Sequence, residues 1–164
     1  MDATVPADPA HSADAAAHTR ELDAVRRRRA ELRESLNSLE AALAAPATER
    51  PGHWGERAHD VLTQLAHDFA EHVEVTEGPD GLHQSILSGD LRLANAVQRL
   101  QAEHIDIAAD IAKLCTATEV PLTSSDIPTV REEATRLIGR LIRHRQRGAD
   151  LVYEAFATDI GGGD

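Results

Sequence analysis

Apolar residues recur along this chain at alternating steps of three and four, the spacing of helices that each bury one stripe. Four stretches carry the pattern. The first, from about 14 to 45, has the seam Leu22, Val25, Arg29, Leu32, Leu36, Leu39 and Leu43, and Pro46 ends it. The second, from about 53 to 77, reads Ala58, Leu62, Leu65, Phe69, His72 and Thr76 before a stop at Gly78-Pro79-Asp80-Gly81. A short helical turn over Leu82 to Leu87 follows. The third, from about 90 to 117, reads Leu93, Val97, Leu100, His104, Ile107, Ile111 and Leu114. The fourth, from about 127 to 158, reads Val130, Ala134, Leu137, Leu141, His144, Gly148, Leu151 and Ala155. Asp126 or Ser125 can cap it, and Pro128 falls in its first turn, where a missing N–H does no harm.

Four helices joined by short connections place neighbours antiparallel, so the pattern predicts an all-α, up-down-up-down four-helix bundle over residues 14–160. Residues 1–13 lack periodicity and read as a disordered tail, and 161–164 read as a Gly-rich tail. Composition adds that the core is aliphatic, because the 164 residues include one Trp, one Tyr and two Phe. The net charge of −11 argues against a nucleic-acid partner. No stretch reads as a signal peptide or a membrane span. Cys115 stands alone, which excludes an internal disulfide and fits a reduced, cytoplasmic setting.

Candidate chemistry enters through the polar members of the seams. Three seams carry a histidine (His72, His104, His144), and the fourth carries Arg29. Arg29 closes the run Arg26 to Arg29; four successive side chains fan around most of a helix, and the spacing turns Arg29 toward the core while the other three face solvent. Three neutral imidazoles from three helices can hold iron or zinc. A single histidine on an apolar stripe is more often a hydrogen-bonded core residue, but three at mid-bundle need partners for their ring nitrogens. His11, His18, His53, His59 and His83 lie near ends or off the seams and are expected at the surface, as are His67 and Glu71. Cys115, Tyr153 and Phe156 are expected to pack, and Trp54 to close one end of the bundle.

The strings HVEVTEGPDGL, RLANAVQRLQAEHIDI and LIRHRQRGADLVYEAFATDIGGGD resemble the hemerythrin-like (HHE cation-binding) proteins, over roughly residues 15 to 162. The resemblance implies a bundle holding two non-haem irons. Its ligands would be a histidine on the first helix, His-x-x-x-Glu on the second, one or two histidines on the third, and a histidine with a following carboxylate on the fourth. His72, His104 and His144 match three of the histidine positions. Arg29, Thr76, Ala108 and Gly148 stand where the remaining ligands would be. Glu77, one residue beyond the expected glutamate, is the nearest substitute and the candidate fourth ligand.

No bridging carboxylate lies on the seam, and Arg29 adds a fixed positive charge that opposes a cation. The expectation is therefore a hemerythrin-like binding or regulatory module that has lost the di-iron centre. It would have no catalytic residues and no cofactor, and would act on a protein or small-molecule partner. In this reading the histidines, Thr76 and Glu77 hydrogen-bond around the Arg29 guanidinium or its waters. The alternative is a three-histidine iron or zinc protein used in oxygen, redox or metal sensing.

Overall fold

The computed structural model describes residues 9–47 and 50–157. They form α1 (Pro9–Ala44), α2 (Pro51–Glu77), α3 (Leu82–Gly89), α4 (Ala94–Thr118) and α5 (Ile127–Ala157), with a 3-10 turn over Leu91–Leu93 leading into α4. There is no strand among the described residues. α1 opens at Pro9, so residues 9–13, expected as tail, belong to the helix. Residues 1–8 and the glycine-rich end at 161–164 lie outside the described residues.

Four long helices pack tightly: α1 on α2, α2 on α4, α4 on α5, and α5 on α1. Side-chain pairs give the sense of each packing. Arg28 and Ser35 of α1 reach Glu71 and Asp68 of α2. Glu103 and Lys113 of α4 reach Arg147 and Glu133 of α5. Numbers rise on one helix as they fall on its partner, so these neighbours run in opposite directions. His59 with Thr118, and Glu77 with His104, show the same for α2 and α4. No helix among the described residues is long and apolar enough to cross a membrane.

Local chemistry sets the ends of α2. Pro51 takes its first position, where the absent N–H would have been unsatisfied anyway. At the other end a Cβ on Gly78 would lie 2.6 Å from the Glu74 carbonyl oxygen, and one on Gly81 would lie 2.8 Å from that of Thr76. Only glycine fits both places, so the chain reverses tightly and lays α3 across the end of the bundle. Asp90 then accepts from the Arg92 backbone N–H and starts the turn into α4.

The interior falls into two apolar clusters. One includes Leu32, Leu65, Phe69, Ile107, Ile111 and Leu141. The other gathers Val25, Leu82, Leu100 and Leu151 with residues of α3. On α1, α4 and α5 the seam passes from one cluster to the other through a single polar position, Arg29, His104 and His144; on α2 two buried polar residues, His72 and Thr76, follow the first cluster. Within the first cluster Trp54 is buried at the bundle end as expected, with the Arg131 guanidinium 5.3 Å from its ring centroid. Tyr153, expected to pack, is exposed, whereas Phe156 is partly buried against the second cluster.

Leu65 is fully buried and Leu91 is 79% exposed, which yields a direct contrast. Leu65→Ala should lower the unfolding free energy by about 2–5 kcal/mol through lost burial and the cavity left behind. Leu91→Ala should change it by less than about 0.5 kcal/mol. Urea denaturation of the two variants checks both values; equal effects would contradict this packing.

Candidate functional site

The polar layer brings the three seam histidines together. His72, His104 and His144 are 6%, 3% and 3% exposed. One ring nitrogen from each lies within 4.8 Å of the others, the one such convergence of three or more ligand-type side chains among the described residues. His104 Nε2 stands 3.0 Å from His144 Nε2, and His72 Nε2 stands 3.3 Å from the same atom. Phe69, one turn below His72, meets all three rings at centroid distances of 5.7 to 6.3 Å and forms the floor of the cluster.

Two of the three outward nitrogens have partners of their own. His144 Nδ1 contacts Glu103 Oε2 at 3.0 Å, and Glu103 Oε1 pairs with Arg147 Nε at 2.7 Å. His104 Nδ1 contacts Glu77 Oε1 in a very short contact. Glu77, the candidate fourth ligand, is thus placed behind His104 rather than within the convergent group. His72 Nδ1 is buried without a partner.

These contacts constrain the protons. With Glu77 and Glu103 ionised, each accepts an N–H from the histidine in front of it, so His104 and His144 carry their protons on Nδ1. Their Nε2 lone pairs then face each other at 3.0 Å, an arrangement that needs a cation between them. The other consistent pattern protonates Glu77, whose carboxyl burial pushes above its usual range. Glu77 then donates to His104 Nδ1, His104 Nε2–H donates to His144 Nε2, and His144 Nδ1–H donates to Glu103.

The remaining sequence candidates fall around this core. The Arg29 guanidinium donates to the Gly148 carbonyl at 3.0 Å. Thr76 Oγ1 donates back to the carbonyls of His72 and Val73 at 2.8 and 3.1 Å. The direct partners of Arg29 and Thr76 are thus backbone carbonyls rather than the histidine rings. Ala108 is exposed, because Ile107 and Ile111 take the inward positions on that turn; it does not stand at the site. Gly148 does, and a Cβ there would meet Arg29 at 3.4 Å. A cavity of about 20 Å³, lined by Arg29, Thr76, Gly148 and the three histidines among others, opens beside the cluster. That is room for a group about the size of a water molecule.

His83 corrects a second expectation. It was expected at the surface, yet it is 4% exposed, stacks on His104 at 6.0 Å between centroids, and lines the same cavity. Its Nδ1 is buried without a partner. Seam periodicity could not find it, since α3 is a single short element seated by the turn before it. His59 is half-buried rather than exposed, with Nδ1 3.2 Å from Thr118 Oγ1. His67 and His53 are at the surface as expected, while Glu71 is half-buried and pairs with Arg28. Cys115 is half-buried in the core wall, and burial pushes its thiol up, which suits packing rather than nucleophilic attack.

No family model matches the chain, and no curated protein and no solved structure matches it.

Burial holds the buried imidazoles neutral. It drives His72 furthest down, with the charges of His104, His144 and Arg29 adding to the effect. It takes His104 to about 3 and His83 to about 4, each with help from neighbouring histidine charge, and it lowers His144 against the pull of Glu103. In the unfolded chain these groups titrate near about 6.5. Below that pH the unfolded state binds more protons than the folded one, so stability falls as pH falls. Chelator-treated protein should therefore lose stability steadily from about pH 6.5 to about pH 5, approaching about 1.4 kcal/mol per pH unit for each histidine involved. Urea denaturation across that range checks this; a flat profile would refute the neutral, buried state.

Proposed function

We propose that the chain is a zinc-binding module built on a hemerythrin-like, up-down-up-down bundle, with His72, His104 and His144 as the ligands of one ion. The observation that carries this reading is the pairing of convergence with support: Nε2 atoms gather inside, and carboxylates hold Nδ1 of two rings from outside. Metal-bound histidines are commonly held in this way, which fixes the tautomer and raises ligand basicity. The spacing also fits. Zinc–nitrogen bonds of about 2.0–2.1 Å at a tetrahedral angle put ligand nitrogens roughly 3.3 Å apart, against 3.0 and 3.3 Å for the two pairs that share His144, with the His72–His104 pair within 4.8 Å.

The donor set favours zinc over the paired irons of the resembled family. Carboxylates that bridge and neutralise two irons have no counterpart: Glu77 lies on the far side of His104, and Gly148 and Thr76 offer no ligand atom from their side chains. The residues do not fit a dinuclear centre. A mononuclear iron site of the two-histidine, one-carboxylate kind also lacks its carboxylate. Three neutral imidazoles leave one position open. Arg29 opposes the ion's charge, and Glu77 and Glu103 offset it through the rings they hold. The module acts in binding or regulation rather than as an enzyme, in a reduced compartment, and its partner is a protein or a small molecule.

A metal-free bundle is the second reading, favoured by the burial that raises Glu77 and by the hydrogen-bond chain that a protonated Glu77 would start. Metal content decides between them. Protein purified from medium supplemented with both zinc and iron should contain about one zinc per chain by mass spectrometry. His104→Asn, with its helix content confirmed by circular dichroism, should reduce zinc to background. About two irons with an oxo-bridge absorption band would overturn the proposal, and no metal from either source would establish the second reading. Zinc at a hundredfold excess over its Kd should add about 2.7 kcal/mol of stability, reversed by chelator; no shift in the unfolding midpoint would count against the site.

A further inference from the structure

Of the four pairs of neighbouring long helices, α1 and α5 pack least closely. Guanidinium groups span the gap: Arg29 of α1 donates to the Gly148 carbonyl at 3.0 Å, and Arg131 of α5 donates to the Ala45 carbonyl at 2.7 Å. One flank of α5 is turned to α4, where Arg140 pairs with Asp106 and Arg147 with Glu103. The other flank, beside α1, repeats apolar residues at helical steps: Ile138, Ile142, Ala149 and Tyr153. Ile138 is buried against the core, whereas Ile142 is 46% and Tyr153 76% exposed. These two lie within about 20° of each other around the helix, with Ala149 between them. They form a stripe outside the core seam rather than scattered exposures.

The charge beside this stripe runs against that of the chain, which carries 28 acidic and 17 basic residues. Arg28 of α1 reaches α2, so the side of Arg29 away from Arg28 follows α5. Within about 60° of Arg29 on that side the charged residues are Arg26, Arg33 and Glu40. Glu40 lies toward Ile138, so positive charge gathers along Ile142 to Tyr153. Arg145, three residues after Ile142, adds to it from α5. Arg33 and Arg145 are exposed and form no ion pair among the described residues. Arg28, Arg136, Arg140 and Arg147 are all paired.

We infer that the face between α1 and α5 docks an acidic amphipathic helix of a partner protein. Its apolar side lies on Ile142, Ala149 and Tyr153, and its carboxylates meet Arg33 and Arg145. The stripe from Ile142 to Tyr153 runs about 17 Å, three turns of helix, which is the anchor spacing of a helix laid in a groove. Guanidinium groups match carboxylates in shape as well as charge. A second copy of this chain suits the face less well. A two-fold contact would set the arginines of one copy against those of the other, like charge on like charge. The inference gives the proposed module's partner a chemistry, and it stands whether or not the histidines hold an ion.

A displayed library of amphipathic helical peptides, selected on the full chain, tests this. Leucine is fixed at alternating steps of three and four, and the flanking positions vary among Glu, Lys, Gln and Ser. Selected peptides should carry Glu at the flanks, and the leading one, labelled with fluorescein, should bind one per chain by anisotropy. Ile142→Asp should weaken it roughly ten- to a hundredfold, and Arg33→Glu with Arg145→Glu about tenfold. Raising NaCl to about 0.5 M should weaken it as well. Ile105→Asp, at a site 73% exposed on α4, should leave the affinity unchanged. Circular dichroism checks that each variant is folded; should Ile142→Asp misfold, Tyr153→Ser replaces it with the same expectation. Selection that enriches no peptide, or flanks that come out rich in Lys or unbiased, overturns the inference. So does equal weakening by Ile105→Asp and Ile142→Asp. A dimer by light scattering that Ile142→Asp abolishes would make the occupant a second copy and overturn it too.

Discussion

Two imidazole nitrogens that both present lone pairs repel at 3.0 Å unless a positive charge lies between them. The pair His104 and His144 is under that constraint as long as Glu77 and Glu103 take their Nδ1 protons. The surrounding structure serves to impose it. Glu77 can reach His104 because α2 ends at that residue and the following turn holds the end in place. Glu103 can reach His144 because it flanks the seam on α4 and is itself held by Arg147. Phe69 below and the two apolar clusters on either side leave the rings little freedom to turn away.

A polar layer between two apolar clusters costs stability relative to a continuous aliphatic seam. Arg29, His104 and His144 come from α1, α4 and α5, and His72 and Thr76 from α2, and each of them would be a leucine or valine in a bundle selected for stability alone. The cost is unevenly met. His104 and His144 have partners for both ring nitrogens, whereas His72 and His83 each keep a buried nitrogen without one. The inner Nε2 atoms of His104 and His72 lie 3.0 and 3.3 Å from His144 Nε2, so the unmet need of the layer falls on Nδ1 of His72 and of His83.

Much of this was legible in the sequence because a bundle seam is periodic. The four long helices, the turn at Gly78 to Gly81 and the inward aim of Arg29, His72, His104 and His144 all follow from three-and-four spacing. What spacing could not show is contact across helices. Glu77 sits about 140° around α2 from His72, which excludes it as a partner on the same helix and says nothing about His104 on the next one. Glu103 immediately precedes a seam residue, and such flanking positions face a neighbouring helix; that signal was present but points to no particular partner. His83 lies on a helix too short for periodicity to orient. Ala108 failed for the opposite reason: a family spacing placed it at the site, while the Ile107 and Ile111 beside it already claimed the inward face.

The three histidines are also far apart along the chain, with 72 residues separating His72 from His144 and 40 separating His104 from His144. An unfolded chain brings such distant groups together only at a large entropic cost. Ligands spaced a turn apart on one helix could still grip an ion after the fold is lost; these cannot. Any ion they hold behaves as a cross-link among α2, α4 and α5, closing long loops as a disulfide would, in a chain whose one cysteine leaves it no covalent means of doing so.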